Sequence, residues 1–518
     1  AGYGDTGGHV MASPFSGLNI ALSEFLNTAN LADAGDFAQS EASSQEWASQ
    51  MARYDEAMRY FSGRVFNTRT DPDDTNSPLL YPLKINLAKT MCLTQASNLY
   101  GQWEDKLVDL TSEPLTKTDA AKERADTAVR IISEIWETSR LASKLYEGGL
   151  ALQVYGGVFL RAAVDPQMPH GVRVDKLMPY QVFARYHPLS IDRIMEAYIV
   201  VPVDKAEAAL AYSVNQSTLP DDTLYLEHWT EKAYETVVGG HKLEKFSGEN
   251  PWGFVPLEYL PRMRLEGFYG LPLIEDLTGL QDELNTRLAD IGDRINDAAH
   301  PIRWVVNYRG NPHKDFAMGA DALWDLGQEI GSGAVPKVGV LEAQPEPSSS
   351  FSFIEFMMDM TRYSSFTSPV AFGEDEGSQR SGVTLELRLW PMLQQAKISR
   401  LYLRAGLLSL HRKVLKMVEH RDTSGEFDKK VVDQVVVPNF AQLVPRDRQM
   451  LIEEMVTRSA QNLVSPEEAM SAFGVRQGTE ADEIERIKKW LEYKTAIEAE
   501  AKQKPGAEPE DRSGSDSG

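Results

Sequence analysis

The apolar positions of this chain change period several times, and each change marks an element. Residues 49–62 and 84–103 repeat at helical spacing, separated by a turn-rich stretch holding Asp71, Pro72, Asp73, Asp74 and Asn76. A further helical run covers 119–154, carried by Val129, Ile132, Ile135, Leu141, Leu145 and Leu150. From Gly157 to Val238 the pattern turns to short β-rich runs at 158–164, 181–186, 197–203 and 224–229, broken by Pro, Gly and Asp. These runs predict an α+β body.

The most regular stripe follows. Leu273, Leu277, Leu280, Leu284, Leu288, Ile291 and Ile295 recur at steps of three or four, which predicts a helix of about 26 residues, ~39 Å long. Its other faces are acidic, with seven carboxylates against Arg287 and Arg294. Strand-like runs at 302–308 and 334–341 come next, then a helix over 352–366. The glycine- and acid-rich stretch SPVAFGEDEGSQRSG leads into a long helical pattern over 383–420. Pro391 lies inside that pattern; it removes one backbone hydrogen bond and crowds the turn before it, so a bend is expected near Arg388. Further on, Ser465-Pro466-Glu467-Glu468 has the form of a capping box and predicts a helix start, with another helix over 480–501.

Composition narrows the function. At 518 residues the chain exceeds one compact core, and 42% hydrophobic with 25% charged residues is a globular balance. No apolar run reaches the ~20 residues of a membrane-spanning helix, and the N-terminal residues lack the order of a secretory signal, so a soluble protein assembled in the cytoplasm is expected. Cys92 is the sole cysteine, in the apolar stretch 87–99, and reads as a buried hydrophobe. The net charge of −23 argues against gripping DNA by counterion release; it does not exclude a wall that a polyanion slides past, but composition by itself favours acidity that only confers solubility. The first 50 residues hold six acids and no Lys or Arg, which predicts a mobile arm with a short helix near 18–25; residues 502–518 read as a disordered tail.

The usual marks of catalysis are missing. The sequence has no GxSxG, GxxxxGK[ST], HExxH or CxxC, and none of the nine histidines pairs with another at i+3 or i+4. The acidic loop at 71–76 lacks the glycine and distal glutamate of a helix–loop–helix calcium site and reads as a solvated turn. No catalytic residue, metal or cofactor is predicted.

Three stretches carry a likeness to a known family. The first, ENPWGFVPLEYLPRMRLEGFYGLPLIEDLTGLQDELNTRLADIGDRINDAAHPI, has Gly270, Pro272 and Ile274 ahead of the acidic helix with Leu280, Asp282, Glu283 and Asn285. The second is TSPVAFGEDEGSQRSGVTLELRL, in which Ser381 and Gly382 open the long helix; the third is NLVSPEEAMSAFGV. In these, and in the block LMPYQVFARYHPLSIDRIMEAYIVV, the chain resembles the portal proteins of tailed bacteriophages.

The resemblance implies the portal fold: an α/β wing, long stem helices, a small α/β clip, a long bent helix and an α-helical C-terminal crown, assembled as a ring. Mapped onto this chain, the expected parts are an acidic arm (1–48), wing (49–270), first stem helix (271–300), clip (301–348), second stem helix (349–366), tunnel loop (367–382), long bent helix and wing return (383–445), crown (446–502) and tail (503–518). Expected at the channel and tunnel loop are Phe372, Glu374, Asp375, Glu376, Gln379 and Arg380; on the stem Asp282, Glu283, Asp290, Asp293 and Arg294; on the clip Trp304, Tyr308, Lys314, Trp324 and Lys337. The implied partners are further copies in a dodecameric ring, double-stranded DNA passing through it, the terminase large subunit, adaptor or head-completion proteins, and major capsid or scaffold protein. The implied location is the portal vertex of the virion. An adaptor or minor head protein is the alternative, and a metal-dependent enzyme a more distant one.

Overall fold

The computed structural model describes residues 41–64, 85–101, 107–114, 116, 118–221, 223–299, 303–306, 337–340, 348–374, 382–421, 428–443, 458 and 488. The chain divides into two units, Ala1–Leu443 and Val444–Gly518. In the second, Arg458 and Lys488 are helical. The expected helix near 18–25, the 71–76 loop, the capping box at Ser465 and the tail lie outside the described residues.

Helix α1 (Glu41–Ser62) starts inside the stretch expected to be an arm. Trp47 accounts for this: its ring is buried edge-on against Phe183, 5.2 Å between centroids, which holds this end of α1 in the core. Helix α2 (Leu87–Leu99) is shorter than the predicted 84–103. Asn86 stops it at the front, its side-chain oxygen accepting from the Lys89 amide at 2.9 Å. The run over 119–154 is two helices, α3 (Asp119–Thr138) and α4 (Leu141–Tyr155). Between them Arg140 sits in the left-handed region at φ 51°, and Ser139 Oγ accepts from the Val174 amide at 2.9 Å, which ties the break to a strand.

That strand is β3 (Val172–Leu177), in a three-stranded antiparallel sheet with β2 (Gly157–Val164) and β10 (Leu257–Pro261), in the order β10-β2-β3. A six-stranded antiparallel sheet runs β4 (Val182–His187), β5 (Ser190–Pro202), β6 (Leu224–Thr230), β7 (Ala233–Val238) and β8 (His241–Lys242), with β9 (Gly248–Glu249) also on β7. Helix α5 (Lys205–Tyr212) joins β5 to β6, with Asp204 as its N-cap. A third, two-stranded sheet pairs β1 (Val108–Ser112) with β13 (Val436–Phe440), joining segments more than 300 residues apart. One core, including Met51, Leu99, Ile132, Leu152, Leu160 and Leu407, collects the helices against β2 and β3. A second lies between the sheets, where Tyr259 stacks on Phe268 at 4.7 Å and Phe159 tilts against Tyr259 at 4.6 Å.

The sequence signature Gly270–Pro272 has a packing cause. At Gly270 a Cβ would stand 2.1 Å from the Gly156 carbonyl oxygen, and at Gly156, φ +78°, a Cβ would stand 2.3 Å from the Gly270 oxygen. Two glycines let backbones cross where α4 ends and the chain turns toward the next helix. Arg262, buried beside this crossing, donates to Gln153 Oε1 at 3.1 Å and the Leu271 carbonyl at 3.3 Å.

The leucine stripe becomes a 3-10 turn (Ile274–Leu277) followed by α6 (Thr278–Ala299), a 22-residue helix where about 26 were expected. Its apolar side is buried through Leu273, Leu277, Leu284 and Ile291 and comes out to solvent at Ile295. Beyond α6 an antiparallel ladder pairs β11 (Arg303–Val306) with β12 (Lys337–Val340), and α7 (Ser348–Ser364) returns to pack along α6. Helix α8 (Gly382–Arg421), 40 residues long, continues through Pro391.

Candidate channel-lining segment

The end of α7 is where the expected tunnel loop begins, and its geometry is a helix stop of a defined kind. The Thr367 amide donates to the Arg362 carbonyl at 2.9 Å and the Phe366 amide to the Tyr363 carbonyl at 3.0 Å. This is the Schellman pattern, which requires a left-handed residue, normally glycine, at the position held by Phe366. Phe366 has φ 55° and a half-exposed ring. A bulky side chain there is strained by about 1–2 kcal/mol, so neighbours must hold it.

They do so from α2. The buried Gln95 side-chain amide donates to the Ser365 carbonyl at 2.8 Å and to Thr367 Oγ1 at 3.2 Å, and Ser365 Oγ donates to Thr367 Oγ1 at 2.9 Å. A short 3-10 turn, Pro369–Phe372, then ends at Gly373, φ 78°. Arg362, mostly buried, reaches over this turn: Nη2 donates to Glu374 Oε1 at 2.7 Å, and the guanidinium carbon lies 5.9 Å from the Phe372 ring centroid. Glu374 and Phe372, both expected at the channel, are thus brought together on Arg362, which the sequence reading did not single out. A spacing of i, i+12 across a turn carries no periodic signal. Asp375, Glu376, Gln379 and Arg380 lie outside the described residues.

The residues expected on the stem do not share one face. Tyr60 Oη donates to Asp282 Oδ2 at 2.5 Å, so Asp282 turns toward α1; burial and this bond push the Tyr60 hydroxyl well above its ordinary value. Glu283 and Asp290 instead flank Arg287 in an exposed row, at 2.8 and 3.3 Å. Asp293 is half-buried and Arg294 exposed. Glu275, about two turns before Asp282, takes both ends of the Arg53 fork at 2.9 and 2.8 Å. On the expected clip, Trp304 and Gly339 are paired across the ladder, and a Cβ on Gly339 would meet the indole at 2.3 Å. Lys337 stands opposite Val306. Tyr308, Lys314 and Trp324 lie outside the described residues.

Sequence reasoning missed the residue that ties α6 to α2. Gln281, buried, accepts the Leu87 and Ala88 amides at 2.8 and 3.0 Å and donates to the Ile85 carbonyl at 2.6 Å. Asn285 Oδ1 accepts the Ile85 amide at 3.1 Å. Side chains of α6 therefore satisfy the open first turn of α2, a role that helix ends always leave vacant. Long-range caps have no sequence spacing; Asn285 stood among the residues that carry the family likeness, but nothing marked Gln281.

Helix out, two-stranded ladder, helix back, loop, and long helix is the order in which these elements follow. The family described as "Phage portal protein, SPP1 Gp6-like" matches residues 41–495. The chain belongs to the phage portal proteins. Portal proteins are structural components of the virion and not enzymes, and membership implies an oligomeric ring and a role in DNA packaging. No curated protein matches the chain. Among the described residues no group of three His, Cys, Asp or Glu gathers as a metal site, and no helix is long and apolar enough to cross a membrane. Cys92 is buried in α2, and burial pushes its thiol up to about 12, as its apolar surroundings suggested.

Proposed function

We propose that this portal protein forms a ring, of about twelve copies, at one capsid vertex, and that double-stranded DNA is packaged and ejected through its central channel. The observation that supports the reading best is the pairing of α6 with α7 around the β11–β12 ladder, inside a family match that spans 41–495. In this reading residues 49–270 form most of the wing, 271–300 and 349–366 the stem, 301–348 the clip, 367–382 the tunnel loop, 383–445 the long helix and wing return, and 446–502 the crown.

The clip docks the terminase large subunit during packaging and adaptor or head-completion proteins afterwards, while the wing meets capsid or scaffold protein. The physics of the passage follows from charge. A chain of net charge −23 offers phosphate few places to lodge, and attachment to many phosphates would act as a brake on sliding. Glu374, Asp375 and Glu376 repel the duplex at the loop, and Gln379 and Arg380 give passing contacts.

Mass measurement of the purified protein together with electron microscopy tests the reading. The expected particle is roughly twelve times the 57.8 kDa subunit, or a nearby multiple, with a central hole. A stable 57.8 kDa monomer at micromolar concentration sinks it.

A further inference from the structure

Helix α8 is a basic element in an acidic protein. It holds eight Lys and Arg against Glu386 and Glu419, while the chain as a whole has a net charge of −23. Its first half is also apolar on the outside. Leu387 is 66% exposed, Trp390 47%, Ile398 36% and Leu401 68%. At 100° per residue these four fall within about 80° of arc, along roughly 21 Å of helix. Scattered exposed leucines are ordinary, but an aligned row of this size marks a surface made to be covered. Lys397, itself exposed, lies over the Trp390 ring at 5.0 Å, and Arg404 follows two turns later on the same flank.

A surface of opposite character lies on α7. Phe353, Phe356 and Tyr363 are 40%, 53% and 74% exposed along one side, and the exposed Glu355 and Asp359 flank them. Resting on the ring reading above, we propose that the outer face of α8 in one copy docks on the aromatic, acidic face of α7 in the next copy. Leu387, Trp390, Ile398 and Leu401 cover the aromatic rings, while Lys397 and Arg404 meet Glu355 and Asp359. Two different faces used once each make a head-to-tail contact, which closes into a ring when the rotation allows. A duplex is the weaker occupant of α8, because phosphates gain nothing from a leucine-lined centre.

The test begins with the mass of the wild-type particle. A wild-type monomer overturns the ring reading and this contact with it. Given a wild-type oligomer, Leu387→Glu with Leu401→Glu is expected to raise the concentration for half-assembly at least tenfold, with unchanged circular dichroism. Unchanged assembly overturns the contact and leaves the ring reading standing. Should that variant lose its helical signal, the charge pair decides. Lys397→Glu with Arg404→Glu is expected to weaken assembly, and adding Glu355→Lys with Asp359→Lys to the same chain is expected to restore it. Failure of the restoration overturns the pairing. A photoreactive residue at 401 is expected to give a product of twice the subunit mass; a product that stays at one subunit mass, or one that contains added 30-base-pair duplex, overturns the proposal.

Discussion

Arg362 Nη2 and Glu374 Oε1 are 2.7 Å apart, so the first carboxylate of the expected loop is held back on the helix that precedes it. Glu374 is half-exposed, and such a pair contributes at most about 1 kcal/mol. Its effect is therefore local. Glu374→Gln is expected to leave the melting temperature nearly unchanged and to speed amide exchange across 369–374 several-fold by hydrogen-exchange mass spectrometry. Replacing Glu374, Asp375 and Glu376 together with Lys is expected to leave ring assembly intact and impair DNA packaging in a reconstituted assay; normal packaging counts against the loop assignment.

Phe366 gives a comparison of two small residues. Both Phe366→Ala and Phe366→Gly remove the ring, but only glycine tolerates φ 55° without strain. The glycine variant is expected to be more stable than the alanine variant by about 1 kcal/mol in urea titration. Equal stabilities would show that the turn relaxes when the ring is gone.

Gln281→Leu removes a side chain that serves three backbone groups of α2. The shape is nearly kept, but the Leu87 and Ala88 amides lose their buried acceptor, a loss of about 1–3 kcal/mol per group. A drop in the urea midpoint is expected, with faster exchange at 85–90 than elsewhere in the helix.

His411 makes stability depend on pH. It is buried, its Nδ1 lies 2.8 Å from the Val436 carbonyl, and Trp136 Nε1 donates to its Nε2 at 3.0 Å. The ring is therefore the neutral Nδ1–H form, and burial holds its pKa down at about 4. The unfolded chain takes up a proton near pH 6.5 that the folded chain refuses. This contribution is complete above the unfolded value and is lost as pH falls from there toward 4, up to about 3 kcal/mol. In His411→Gln the pH slope of the melting temperature over that window is expected to shrink; an unchanged slope assigns it to other groups.

What was legible in the chain was what repeats. The leucine stripe from Leu273 to Ile291 runs into α6 and is buried at Leu273, Leu277, Leu284 and Ile291, the β-rich runs became strands of the central sheets, and Cys92 is in the core. Element order likewise follows from local rules, because helix and strand periods act between residues a few positions apart, whereas the glycine at 270 is required by a crossing with the distant Gly156. The break at Arg140 falls in the widest apolar step of the 119–154 run, the six residues from Ile135 to Leu141, and a gap of that size alone does not tell a helix end from a solvated turn. The bond from Ser139 to Val174 divides the run.

By itself the sequence determined an acidic α+β chain, the order of its stem-like helices and its family likeness. Those are properties of composition, period and motif, each set by near neighbours along the chain. Only the tertiary structure decided that Gln281 caps α2, that Asp282 turns to Tyr60, that Arg362 holds Glu374, and that Trp136 fixes the tautomer of His411. The physical reason is distance along the chain: a buried polar group takes whichever partner the fold brings within 3 Å or so, and most of those partners lie a hundred residues or more away.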